Sequence, residues 1–98
     1  MAVKLEYDRI RLAEFCRNWH IKKLSFFGSV VRSDFSPDSD VDVLYTFEDG
    51  KTPGWDIVTC ADELSELLGR KVDLVPEHGV NRWIRTQVLR EAEVQYEG

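Results

Sequence analysis

The sequence predicts an α/β (α+β) fold in which helices flank a small mixed β-sheet, and three observations lead there. Strand-length apolar runs at Leu24–Phe27, Val41–Phe47 and Val72–Val75 alternate with segments whose apolar residues recur at helical spacing. Cap and turn residues stand at the junctions, among them Asp8, Gly28-Ser29, Ser36-Pro37-Asp38, Gly69, Pro76 and Asn81. The 98 residues suit one domain, 1–98, that buries roughly 60–70% of its unfolded surface. The expected order is α-β-α-β-α-β-α.

Residues 1–7 read as a short leader. Asp8 is the N-cap of a helix to about Trp19, with Leu12, Phe15, Cys16 and Trp19 on its buried side and Arg9, Arg11, Glu14 and Arg17 in solvent. A strand from Lys23 to Gly28 follows, then a helical turn over Val30–Ser33 and a loop over Asp34–Ser39. The second strand runs from Val41 to Phe47, and its alternation puts Asp40, Asp42, Leu44 and Thr46 on one face and Val41, Val43, Tyr45 and Phe47 on the core face. Pro53 or Gly54 opens a helix to Leu68, carrying the stripe Ile57, Cys60, Ala61, Leu64, Leu67 and Leu68; Gly69 suits the left-handed closing position. The third strand, Val72–Val75, stops at Pro76. Asn81 caps a last helix to about Glu91, with Trp83, Ile84, Val88 and Leu89 as its apolar positions. Alternation of Val94 and Tyr96 allows a short edge strand at the end.

A net charge of −5 argues against direct nucleic-acid binding, which requires a basic footprint. It leaves open a nucleotide whose phosphates are neutralised by metal. No apolar run approaches the ~18 residues of a membrane span, and the N-terminus has no signal-peptide apolar core. A cytoplasmic protein without membrane contact is expected. Cys16 and Cys60 lack any motif spacing and read as buried free thiols.

The chemistry concentrates in Gly28 to Leu44. Asp40 and Asp42, two positions apart on a strand, have Cα atoms roughly 6–7 Å apart and point the same way. Like charges so placed repel and raise each other's pKa unless a cation neutralises them. Asp73 is a third carboxylate inside a short apolar strand, where an unpaired charge would be costly. If its strand neighbours the second, all three face one cleft. Such oxygen ligands suit Mg²⁺, and two ions about 3.5–4 Å apart serve phosphoryl transfer. Gly28 permits close backbone approach to a phosphate, and Ser29 adds a hydroxyl and an N–H. No Gly-x-x-x-x-Gly-Lys-Ser/Thr string is present.

Gly28-Ser29, a ten-residue spacer, Asp40-Val41-Asp42 and a later-strand Asp73 together resemble the signature of the nucleotidyltransferase superfamily related to DNA polymerase beta. With Phe27 and Arg32, they resemble its minimal members, the MNT proteins, over almost the whole chain. The resemblance implies a nucleotidyltransferase fold and an ATP-dependent enzyme. Several MNT proteins are antitoxins that transfer AMP to a tyrosine hydroxyl of a HEPN-domain RNase toxin. On that likeness, Asp40 and Asp42 hold both Mg²⁺ ions. Asp73 holds the metal that activates the acceptor hydroxyl and can act as its base. Gly28 and Ser29 cradle the β- and γ-phosphates, with Arg32 nearby. Ser33 departs from the family, whose small members often have Gly there.

Plainer roles exist for each residue. Asp-x-Asp alone can be a solvated strand start, Ser29 a helix cap, Asp73 an edge-strand charge, and Arg32, Arg82, Arg85 and Arg90 solvated side chains. The spacing of all five motif residues together favours the site. The chain leaves little beyond the core for binding an acceptor, so a partner protein in a hetero-oligomer is expected. A non-catalytic antitoxin, or small-molecule transfer with a separate helical subunit, are the alternatives.

Overall fold

The computed structural model describes residues 5–31, 39–51 and 54–98. Arg32, Ser33, the expected loop over 34–38, and Pro53 lie outside them. Helix α1 spans Arg9–Asn18, strand β1 Ile21–Phe27, β2 Val41–Phe47, helix α2 Ile57–Leu68, β3 Val72–Pro76, helix α3 Arg82–Glu91 and β4 Glu93–Glu97. Short 3₁₀ turns cover Gly28–Val31, Gly54–Asp56 and Glu77–Gly79. The expected alternation holds, and β4 extends it.

Asp8 caps α1 as expected, its Oδ1 accepting from the N–H groups of Ile10 and Arg11 at 2.9 and 3.2 Å. These are two of the donors that a helix start leaves unpaired. The helix gives way to β1 earlier than the sequence suggests. His20 adopts φ 61°, a left-handed conformation uncommon outside glycine, and this turns the chain at once, so β1 begins at Ile21 rather than Lys23. At the far end of α2, Gly69 takes φ 70° and its N–H closes on the Ser65 carbonyl side of the helix.

The four strands are ordered β3-β2-β1-β4. Strand β1 is antiparallel to β2 and β4, and β2 is parallel to β3. The crossover from β2 to β3 runs through α2, the connection that a parallel pair requires. Pairing β3 starts with the Val41 N–H donating to the Lys71 carbonyl at 2.9 Å.

The sheet divides its two faces. Phe26 pairs with Val43 and Val43 with Leu74, while Val41 pairs with Val72. These positions face α1 and α2, and Leu12, Phe15, Cys16, Leu24, Phe26, Val41, Val43, Cys60, Leu64 and Leu68 form one buried cluster. Burying a side chain of this type contributes about 1.5–3 kcal/mol, so this face carries most of the stability. The Trp19 indole N–H donates to Glu63 Oε1 at 2.9 Å, linking α1 to α2. Tyr7, expected in a leader, instead sets its ring edge-on to Phe26 with centroids 5.6 Å apart, and its hydroxyl donates to Gln95 on β4. The N-terminal segment from Leu5 therefore packs on the core.

The opposite face carries Ser25, Phe27, Asp42, Leu44, Asp73 and Val75 through the pairs Ser25 with Leu44, Phe27 with Asp42, Asp42 with Asp73, and Leu44 with Val75. Leu44 is 2% exposed yet stands apart from the main cluster. Helix α3 lies on this side. None of its residues is buried; Trp83 is 83% exposed, Ile84 52% and Leu89 40%. Periodicity marks its apolar positions, and no described element buries them fully. Asn81 caps the helix, its Oδ1 accepting from the Trp83 N–H at 2.8 Å. Arg85 donates from Nη1 to the Glu77 carbonyl at 3.3 Å, and the Arg82 guanidinium lies over the Trp83 ring at 5.6 Å. Cys16 and Cys60 are buried free thiols, as expected.

Candidate active site

Three strand ends assemble the site. Strand β1 runs through Phe27 into Gly28, β2 presents Asp42, and β3 presents Asp73. Phe27 pairs with Asp42 and Asp42 with Asp73, so the two carboxylates start from backbones about 4.7–4.9 Å apart on one sheet face. Asp40 stands one residue before β2 and is exposed, as is Asp73, whereas Asp42 is half-buried.

Gly28 is where glycine is required. Its φ is +76°, and a Cβ built on it would lie 2.1 Å from Asp42 Oδ2 and 3.1 Å from Asp42 Cγ. The Asp42 carboxylate fills the space that any side chain would need. Close backbone approach, expected toward a phosphate, is thus used first toward the carboxylate that sits beside it. Ser29 follows within the 3₁₀ turn, half-buried between the buried Gly28 and Val30.

Two adjoining hollows open on this face, sharing Phe27, Asp42, Ile84 and Val88 as walls. One, of ≈ 280 Å³, reaches Gly28, Gln87 and Glu91. The other, of ≈ 310 Å³, reaches Asp73, Val75, Gly79, Val80 and Asn81. The carboxylates therefore lie at the floor of a cleft roofed by α3. A further hollow of ≈ 320 Å³, lined by Arg11, Glu14, Asn18, Glu63 and Glu66, lies between α1 and α2, away from these carboxylates.

The structure brings together Gly28, Asp42 and Asp73; Ser29 adjoins Gly28 but, like the exposed Asp40, lines neither hollow, and Arg32 falls outside the described residues. Among the described residues, no three His, Cys, Asp or Glu side chains already converge on one ion position. The donor set still fits a hard divalent cation, being made of carboxylate oxygens on neighbouring strands.

One residue at this site was not found from sequence. Glu91, the last residue of α3, accepts a hydrogen bond from the Gly28 N–H at 3.1 Å. Nothing local marks it; the contact joins residues 63 positions apart. Ile84 and Val88 were read as apolar positions of the last helix, and they prove to be cleft walls.

The model of the nucleotidyltransferase domain family matches residues 9–95. The protein adenylyltransferase MntA of Thermococcus cleftensis is 35% identical over 79 residues, covering 80% of this chain and 78% of that protein. A solved structure of a candidate minimal nucleotidyltransferase is 39% identical, with a TM-score of 0.72, and the match covers 87% of this chain and 86% of that one. The fold also matches a chain of the complex between the tri-AMPylated Shewanella oneidensis HEPN toxin and its MNT antitoxin. There the TM-score is 0.65 at 17% identity, over 92% of this chain and 70% of that one.

Proposed function

The chain belongs to the nucleotidyltransferase domain family, and from that premise we propose that it is an antitoxin that transfers AMP from ATP to a tyrosine hydroxyl of a HEPN-domain toxin. The observation that carries this reading is the packing of Asp42 onto Gly28, in register with Asp73. The name of the Thermococcus relative supports protein as the acceptor. The Shewanella complex, in which the toxin is tri-AMPylated, supports a HEPN partner in a hetero-oligomer and AMP as the group moved.

In this reading the acceptor oxygen attacks the α-phosphorus of ATP. A new phosphoester bond forms, the bond between the α-phosphorus and its bridging oxygen breaks, and pyrophosphate leaves. Asp73 faces the acceptor from the exposed edge of the cleft and takes the hydroxyl proton. Gly28 lines the end of the cleft suited to the β- and γ-phosphates, and Ser29 beside it and Arg32 are further phosphate contacts in this reading. Asp40, Asp42 and Asp73 would hold Mg²⁺, which when bound neutralises the triphosphate and favours the ionised acceptor. The cleft walls Phe27, Ile84 and Val88 limit water around the reacting atoms.

The test is incubation with Mg²⁺, labelled ATP and a HEPN-domain protein from the same organism. The expected result is a mass gain of about one AMP (~329 Da) per modified hydroxyl on that protein, lost in D42N and D73N. Transfer to a free small molecule with none to the protein would overturn the reading. The exposed face of α3, with Trp83 at 83%, favours a second reading: neutralisation by binding alone. In that case D42N and D73N neutralise the toxin as well as the parent chain does.

A further inference from the structure

The Gly28 N–H lies at the end of the cleft assigned to phosphates, and it is already taken. Glu91 Oε1 accepts from it at 3.1 Å. A carboxylate oxygen and a phosphate oxygen are chemically alike as anionic acceptors for a backbone N–H, and such charge-assisted bonds are stronger than neutral ones. Glu91 also shares its ≈ 280 Å³ hollow with Asp42. A triphosphate entering there meets a carboxylate that repels it and holds the donor it needs.

We propose that Glu91 is a built-in competitor for the phosphate position: it holds the Gly28 N–H in the nucleotide-free protein and withdraws when a nucleoside triphosphate binds. The proposal rests on the nucleotidyl-transfer reading of this site. The mounting of Glu91 suits withdrawal. It is the last residue of α3, a helix none of whose residues is buried. That helix is held at its start by the Asn81 cap and by the Arg85 bond to the Glu77 carbonyl. Its far end is tied to the sheet through β4, whose Glu93 pairs with Phe26, so the withdrawal is a rotation of the Glu91 side chain and leaves the backbone in place. Because a ligand's apparent affinity falls with the fraction of protein in the competent state, the contact lowers triphosphate affinity until Glu91 leaves.

The test is calorimetric titration of the full chain with Mg²⁺ and the non-hydrolysable analogue AMP-PNP. Removing the competing carboxylate in E91A is expected to tighten binding about ten- to a hundredfold, the range of one hydrogen bond to a charged group. E91Q keeps an acceptor oxygen but loses the charge, and gives a smaller gain in the same direction. E93A, which removes a neighbouring charge that does not touch Gly28, is expected to leave affinity unchanged. In amide NMR, the Gly28 resonance should move on E91A substitution alone. Unchanged or weaker binding by folded E91A and E91Q overturns the proposal, as does an equal gain in E93A, which would reduce the effect to net charge. Absence of binding by the parent chain and both Glu91 variants alike overturns the nucleotidyl-transfer reading itself.

Discussion

Asp42 and Asp73 are direct partners across the parallel β2–β3 ladder, side by side on the sheet face that turns away from α1 and α2. Like charges directly opposite on a sheet destabilise it. Removing one is therefore expected to help the fold while harming the chemistry. In D73N the melting temperature without metal or nucleotide should rise by a few degrees, matching a repulsion of roughly 0.2–1 kcal/mol. The further rise produced by Mg²⁺ with ATP in the parent chain should disappear. Thermal melts with and without Mg²⁺-ATP check both halves.

Gly28→Ala strikes the same site from the backbone side. At φ +76° and 2.1 Å from Asp42 Oδ2, the new methyl must displace the carboxylate. A strained left-handed residue costs about 1–3 kcal/mol, and misplacing a reactive group by ~1 Å lowers rate by about 100-fold. Denaturant melts and AMP-transfer rates should show a folded but nearly inactive protein.

The two faces of the sheet should respond unequally to truncation. Leu64 is fully buried between α2 and the sheet, so Leu64→Ala should destabilise by about 2–5 kcal/mol. Trp83 is 83% exposed, and Trp83→Ala should stay within about 0.5 kcal/mol of the parent, despite removing a far larger side chain. Urea midpoints compare the two directly.

Alkaline pH should unfold the chain through its thiols. Burial pushes Cys16 and Cys60 up to about 12 from an ordinary 9.0, with Cys60 adding to the rise at Cys16 against the opposing Arg17, and Glu63 adding to it at Cys60. Above pH 9 the unfolded chain ionises these groups while the folded chain keeps them protonated. The folded state then binds more protons, so stability falls as pH rises from about 9 toward 12, by about 1.4 kcal/mol per pH unit for each thiol. Burial also raises Tyr7 and Tyr45, which acts in the same direction. Stability measured from pH 8 to 11 should show this slope, and C16A/C60A should flatten it even where its overall stability is lower.

Much of this was legible in the chain because local signals and tertiary structure agree. Strand β2 runs from Val41 to Phe47 as its alternation indicates, and Asp8, Gly69 and Asn81 cap where their side chains or backbone suit. Gly28, Asp42 and Asp73 could be placed together once β2 and β3 were neighbours, since a strand's period of two fixes which face each carboxylate shares. The start of β1 was hidden because His20 adopts a glycine-like φ that no composition rule announces. The exposure of α3 was hidden for a different reason. Periodicity reports that a helix has an apolar side, not whether anything covers it. Glu91 depends on how that helix lies over the sheet, a relationship across 63 positions that no window of sequence contains.

Helix α3 meets the cleft with Ile84, Val88 and Glu91 and buries none of its residues. Its outward positions can therefore accumulate substitutions that the folding core never registers. For a protein read as matched to one partner, that is the surface where a lineage can alter whom it recognises while keeping the same catalyst underneath. Divergence among such proteins should be steepest along this helix and shallowest at Gly28 and Asp42, where a single added methyl has nowhere to go.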